Sequence, residues 1–207
     1  MGFLKGGLTF RRYSVNGEVP SDFRERYQQR LTENAFAVRP GEGTKIEYMG
    51  WTTIHNLLDV DFSNMDRWFV EPHILGMLRL DVKTVPNNLF RAMLERRCQD
   101  WCETHSKERC PSRVKTEIKD ILRAELLSQS LPRVKTVEWC WDLQQNHVYV
   151  HNTSESMNER FKALFYDTFG LTLSAFSPLA FLQSHQEISS ILEHSGLSEL
   201  QVIWEEL

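Results

Sequence analysis

Residues 131–143 read LPRVKTVEWCWDL, and the fold turns on how this stretch is taken. A leucine-rich segment stops at Pro132, Arg133 and Lys135 follow, and Trp139 and Trp141 then stand two residues apart. Side chains alternate across a strand, so Val137, Trp139, Trp141 and Leu143 share one face while Glu138, Cys140 and Asp142 take the other. Aromatics on a sheet can serve as stacking platforms for bases. Here the tryptophans lie with aliphatic residues, and the opposite face carries acids that repel phosphate. The alternation is a core signal, and both indoles are predicted to be buried.

Working outward, HVYVH (147–151) pairs with this strand through a short polar turn, and Met157, Phe161, Leu164, Phe165 and Phe169 recur at helical spacing. LTLSAF (171–176) reads as a further strand, and the last thirty residues as helical. Upstream, GLTFRRYSV (7–15) reads as an opening strand. Asp22 and Glu25 have capping-box spacing before a helix that carries Phe23, Tyr27 and Leu31 on one face. AFAVR (35–39) and IEYMGWTTI (46–54) read as strands around the turn RPGEG (39–43). WFVEPHILGMLRLDVKTV (68–85) reads as strand interrupted at Pro72, which is expected at a bulge or an edge.

Pro86 then opens a helix to about residue 105, with Phe90, Leu94, Cys98, Trp101 and Cys102 along one side. A polar break leads to a second, over 112–129, with Val114, Ile118, Ile121, Leu122 and Leu126 on its apolar face. Two helices so joined form an antiparallel hairpin. The fold class is α+β: a mixed, largely antiparallel sheet with flanking helices and a protruding antiparallel helical hairpin. Four regions follow: an N-terminal α+β part (1–86), the hairpin (87–131), a strand–strand–helix part completing the sheet (132–183) and an acidic helical tail (184–207).

Composition narrows the classes. The 207 residues are 41% hydrophobic and 25% charged, as in a soluble globular protein. No apolar run approaches the roughly 20 residues of a membrane span, and the N-terminus lacks the pattern of a secretory signal. Three of the four cysteines crowd into 98–110, unlike an extracellular disulfide framework, so a cytoplasmic setting is expected. The net charge of −4 is unevenly spread: residues 91–135 hold eleven Lys/Arg against seven Asp/Glu, and residues 136–207 hold two against ten. Polyanion binding follows the local field, which favours the middle of the chain and opposes it in the tail.

Within that middle, Lys115, Lys119 and Arg123 recur every fourth residue and form one stripe beside the apolar face. With Arg96, Arg97, Lys107, Arg109, Arg113, Arg133 and Lys135 they are the candidate phosphate contacts, since a cation need only reach a backbone oxygen. The competing reading is a solvated face paired with Glu95, Glu108, Glu117 and Asp120. Cys98, Cys102, His105 and Cys110 supply a zinc-like donor set, but they also continue the apolar face and lack the usual two-residue cysteine gap, so packed thiols are expected and no metal or cofactor is assigned. Glu117 and Lys119 have the spacing of a nuclease carboxylate–lysine pair, to be completed by Asp59 or Asp61; a helix is the wrong platform for it. His147 and His151 read as ordinary strand-end histidines. No phosphate-binding glycine loop or catalytic triad occurs.

The run LLSQSLPRVKTVEWCWDLQQNHVYVHNTSESMNERFKALFYDTFG resembles the RdgC family of recombination-associated proteins. There too a charged helix ends in Leu-Pro-Arg, a Trp-bearing strand turns into a second strand, and a helix follows. FLKGGLTFRRYSV, the Gly-Trp of MGW (49–51) and VKTVPNNLFRAMLERR are similar to the family's opening strand, its Gly-Trp and its strand, proline and basic helix. The resemblance covers about residues 1–180, in order. It implies a non-enzymatic, nucleoid-associated protein that binds double-stranded DNA without sequence preference, closes as a homodimer around the duplex and restrains RecA-driven recombination. The chain is truncated relative to the family, its hairpin is less basic and its tail is acidic. Two other classes stay open: a protein–protein adaptor using the acidic tail, and a metal-dependent nuclease.

Overall fold

The computed structural model describes residue 3, residues 9–38 and residues 46–176. The expected turn at 39–43, the first residues of the opening strand, the tail helix and the region 184–207 lie outside the described residues. Seven strands form one antiparallel sheet: β1 (Arg11–Asn16), β2 (Glu47–Thr52), β3 (Phe69–Val70), β4 (His73–Val82), β5 (Arg133–Asp142), β6 (His147–Val150) and β7 (Thr172–Ala175). Their order is β2-β4-β5-β6-β1-β7, with β3 paired to β4. The helices are α1 (Phe23–Glu33), α2 (Asn87–Thr104), α3 (Ser112–Gln129) and α4 (Glu155–Phe169). The class is α+β, with the sheet antiparallel throughout.

The opening stretch explains the core. Trp139 and Trp141 have no exposed surface; both meet Phe165 and Phe169 of α4 edge-on, and Trp141 also meets Tyr27 of α1 at a tilt. Across the sheet, Trp51 lies tilted with its ring centre 5.1 Å from that of Trp139 and donates its indole N–H to the Thr168 hydroxyl at 2.7 Å. Each buried indole removes roughly 200 Å² from water, on the order of 5 kcal/mol as an upper bound, so this aromatic layer is a large source of stability. Gly76 opposes Trp139 in register; a Cβ there would lie 2.8 Å from the indole ring.

Several expectations are corrected. AFAVR forms no strand: only Ala35 bridges to Trp51, and the chain then leaves the edge of β2. A Cβ at Gly50 would fall 2.5 Å from the Phe36 Cα, so the close approach of this segment depends on that glycine. Pro72 is neither bulge nor edge; a cis Glu71–Pro72 bond sits in the tight reversal between β3 and β4. Asp22 stands at the N-cap of α1 but its side chain makes no capping hydrogen bond. Within β4, Asp81 is buried as deeply as Leu80, where the Arg79 guanidinium grips its carboxylate with two hydrogen bonds of 2.7 and 2.8 Å while lying over the Phe36 ring.

Candidate nucleic-acid interface

Pro86 and Pro111 stand at the N-caps of α2 and α3, where a missing N–H costs nothing and the fixed φ starts a helix. The two helices close on a thin seam. Phe90, Leu94, Cys98 and Trp101 of α2 and Val114, Ile118 and Leu126 of α3 are half-buried, and Ile121, expected in the seam, is 63% exposed. No residue between Asp81 and Leu122 is buried. The hairpin is enclosed mainly at its base, where Leu122 and Leu127 are buried and the Lys83 ammonium donates to the Leu127 carbonyl at 3.2 Å. Arg97 and Glu125 tie the helices together.

This geometry leaves the cations outside. Lys115, Lys119 and Arg123 are exposed along α3, with Arg123 resting 5.7 Å over the Phe90 ring. The side chains of Arg96, Lys107, Arg109 and Lys119 make no hydrogen bond or ion pair among the described residues. Arg113 pairs with Glu117 one turn on, at 3.3 Å and almost fully in water. Arg97 is committed to Glu125 across the seam. Arg133 and Lys135 are exposed where β5 leaves the hairpin, paired in register with Val82 and Leu80. Exposed ion pairs are worth only about 0–1 kcal/mol, so releasing Arg113 to a phosphate costs little.

The hairpin cysteines, Cys98, Cys102 and Cys110, are half-buried rather than buried. Partial desolvation, then a hydrogen bond with Cys98, push the Cys110 thiol up, with Cys102 alongside. His105 is not turned toward them: its ring stacks on Trp101 at 4.2 Å and its Nδ1 lies 2.9 Å from the Trp101 carbonyl. Asp59 and Asp61 both bind Arg67, at 3.2 and 3.1 Å, while Glu117 and Lys119 project from α3. Hydrogen bonds from Ser63 hold the Asp61 carboxyl below its usual range. Among the described residues, no group of three or more His, Cys, Asp or Glu side chains is arranged to hold a metal ion. His147 lies against the Phe176 ring. No described helix is long and apolar enough to cross a membrane.

A cleft of about 350 Å³ escaped the sequence reading. Arg11, Arg12 and Tyr13 of β1 and Glu155 and Lys162 of α4 line it, together with the end of β7. These residues are some 140 positions apart in the chain, so no spacing announces them.

No individual curated protein matches the chain. A family model described as "Putative exonuclease, RdgC" matches residues 10–193. That span holds the whole described sheet, the helices packed on it and the hairpin, and the chain therefore belongs to the RdgC family of recombination-associated proteins.

Proposed function

We propose that the protein binds double-stranded DNA without sequence preference, through phosphate contacts centred on the hairpin, and modulates recombination by occupying the duplex rather than by cutting it. One observation carries the reading: an outstretched helical pair displays Lys115, Lys119 and Arg123 on one stripe, unshielded by carboxylate partners. Arg133 and Lys135 extend the positive surface to the sheet. Contacts of this kind position a protein on DNA without reading bases, because phosphates are the same at every step. A homodimer would place two hairpins on one duplex, and nucleoid association would follow.

The test is a salt titration of binding to unrelated duplexes. With Lys115, Lys119 and Arg123 changed together to Glu, affinity should fall alike on every sequence, and the slope of log affinity against log salt should flatten by about 3. Unchanged affinity removes these residues from the interface.

A second reading, a protein–protein adaptor, draws on apolar exposure in the same region: Leu89 is 50% exposed, Ile121 63% and Leu131 91%. Such residues suit a protein partner better than phosphate. Indifference to duplex at low salt would favour it.

A further inference from the structure

Three of the four cysteines gather at the end of the hairpin opposite its enclosed base. Cys98 and Cys102 stand one turn apart on α2, and Cys110 lies just before the Pro111 cap of α3. The seven residues between the helices reverse the chain through Ser106, whose φ of 49° is left-handed. That reversal brings the Cys110 thiol within hydrogen-bonding reach of Cys98, with Cys102 alongside. All three thiols are free and half-buried, so a small reagent can reach them.

Geometry selects one pair. Side chains at i and i+4 of a helix keep their Cβ atoms about 5–6 Å apart. A disulfide needs about 3.5–4.5 Å, so Cys98 and Cys102 cannot join without unwinding α2. Cys110 sits in the turn rather than in either helix, where a small backbone adjustment costs little, and its sulfur already meets that of Cys98.

We propose that Cys98 and Cys110 form an oxidation site, at which a peroxide converts the two thiols to a disulfide that staples the free end of the hairpin. One thiol, as its thiolate, attacks the O–O bond and becomes a sulfenic acid, while the leaving hydroxide takes up the thiol's proton and departs as water. The second sulfur displaces the sulfenic hydroxyl, which leaves with the second thiol proton as another water. The two thiols lose two electrons, and one peroxide gains them. The loop so closed holds thirteen residues, 98–110, among them Lys107 and Arg109, and Arg113 and Lys115 follow directly. The helices share no buried side chain at this end, so a covalent tie supplies the constraint that packing does not. The consequence for duplex affinity rests on the DNA-binding reading above. The staple orders these cations before the duplex arrives, and because no charge changes, affinity rises at a constant salt slope.

The test uses the full chain, reduced and then treated with hydrogen peroxide until catalase ends the reaction. Trypsin cuts after Arg97, Lys107, Arg109 and Arg113, so the disulfide should appear as Cys98–Lys107 joined to Cys110–Arg113. Cys102→Ser should keep this crosslink, and Cys98→Ser or Cys110→Ser should abolish it. Amides from 98 to 115 should exchange about tenfold more slowly in the oxidised protein, and dithiothreitol should restore the faster rate. Four thiols left free, a crosslink through Cys102 or between two copies, or sulfinic acid without any crosslink overturns the site. With the crosslink made, the oxidised protein should bind duplex several-fold more tightly; equal affinity of the two forms overturns the effect on binding. A protein that ignores duplex in both states overturns the DNA-binding reading instead, while the peptide map still judges the disulfide.

Discussion

Trp51 shows how one residue carries information at two levels. Its indole N–H donates to Thr168, whose own hydroxyl donates to the Leu164 carbonyl at 2.7 Å, so a single hydroxyl satisfies a helix carbonyl and a strand indole. Thr168→Val keeps the shape and removes the acceptor; unfolding in urea should reveal a loss of about 1–3 kcal/mol, with no change in DNA affinity. Gly50, beside it, is the other half of the Gly-Trp pair, and its role is backbone proximity. Gly50→Ala must push the Phe36 backbone away and should cost about 1–3 kcal/mol, read as a lower midpoint at constant slope. Cys140 differs from the hairpin thiols: burial first, then Asp142, push its thiol up to about 11. At pH 8 a water-soluble alkylating reagent should therefore modify Cys98 or Cys102 well before Cys140. The burial of Trp139 and Trp141 was legible because alternation speaks directly to which face a side chain takes. The cleft between β1 and α4 was not, since the two elements meet only after folding.

The hairpin is an element whose two helices could be read from sequence but whose packing could not. Its caps and period are local properties, and both helices fall where the prolines and the apolar spacing put them. How much of its apolar face is covered depends on what else packs there, and within the described residues only the base is enclosed. AFAVR failed for the related reason that a β-branched, apolar run makes a strand only if a neighbour offers it a full ladder; here the edge of β2 offers one bridge. Isolated helices of this length are marginal in water, and a seam without buried side chains adds little. Backbone amides from 87 to 121 should therefore exchange with solvent by local opening, orders of magnitude faster than those of β4 and β5. Equal protection across both regions would mean that something encloses the hairpin, and would remove the free stripe on which phosphate contact depends.

At the scale of the whole molecule, the buried core couples α1, α4 and six strands of the sheet, so a charge created inside it is felt as global instability. Tyr27 sits in that core at 1% exposure, between Trp141 and Phe169, with no partner for its hydroxyl. Burial pushes its phenol up to about 12 against an ordinary value near 10. Ionisation would put an unpaired anion among aromatic rings, while in the unfolded chain the phenol ionises freely. The raised value means that its contribution is intact below about pH 10 and is lost as pH climbs toward 12, because there the unfolded state releases a proton that the folded state keeps. The expected loss over that window is about 2–3 kcal/mol. Tyr27→Phe abolishes this ionisation while preserving the ring. Its midpoint in denaturant should fall less steeply than that of wild type between pH 10 and 12, and the two proteins should converge in slope below pH 9. Parallel curves across the whole range would show that the phenol reaches solvent, and that α1 lifts from the sheet more readily than its packing implies.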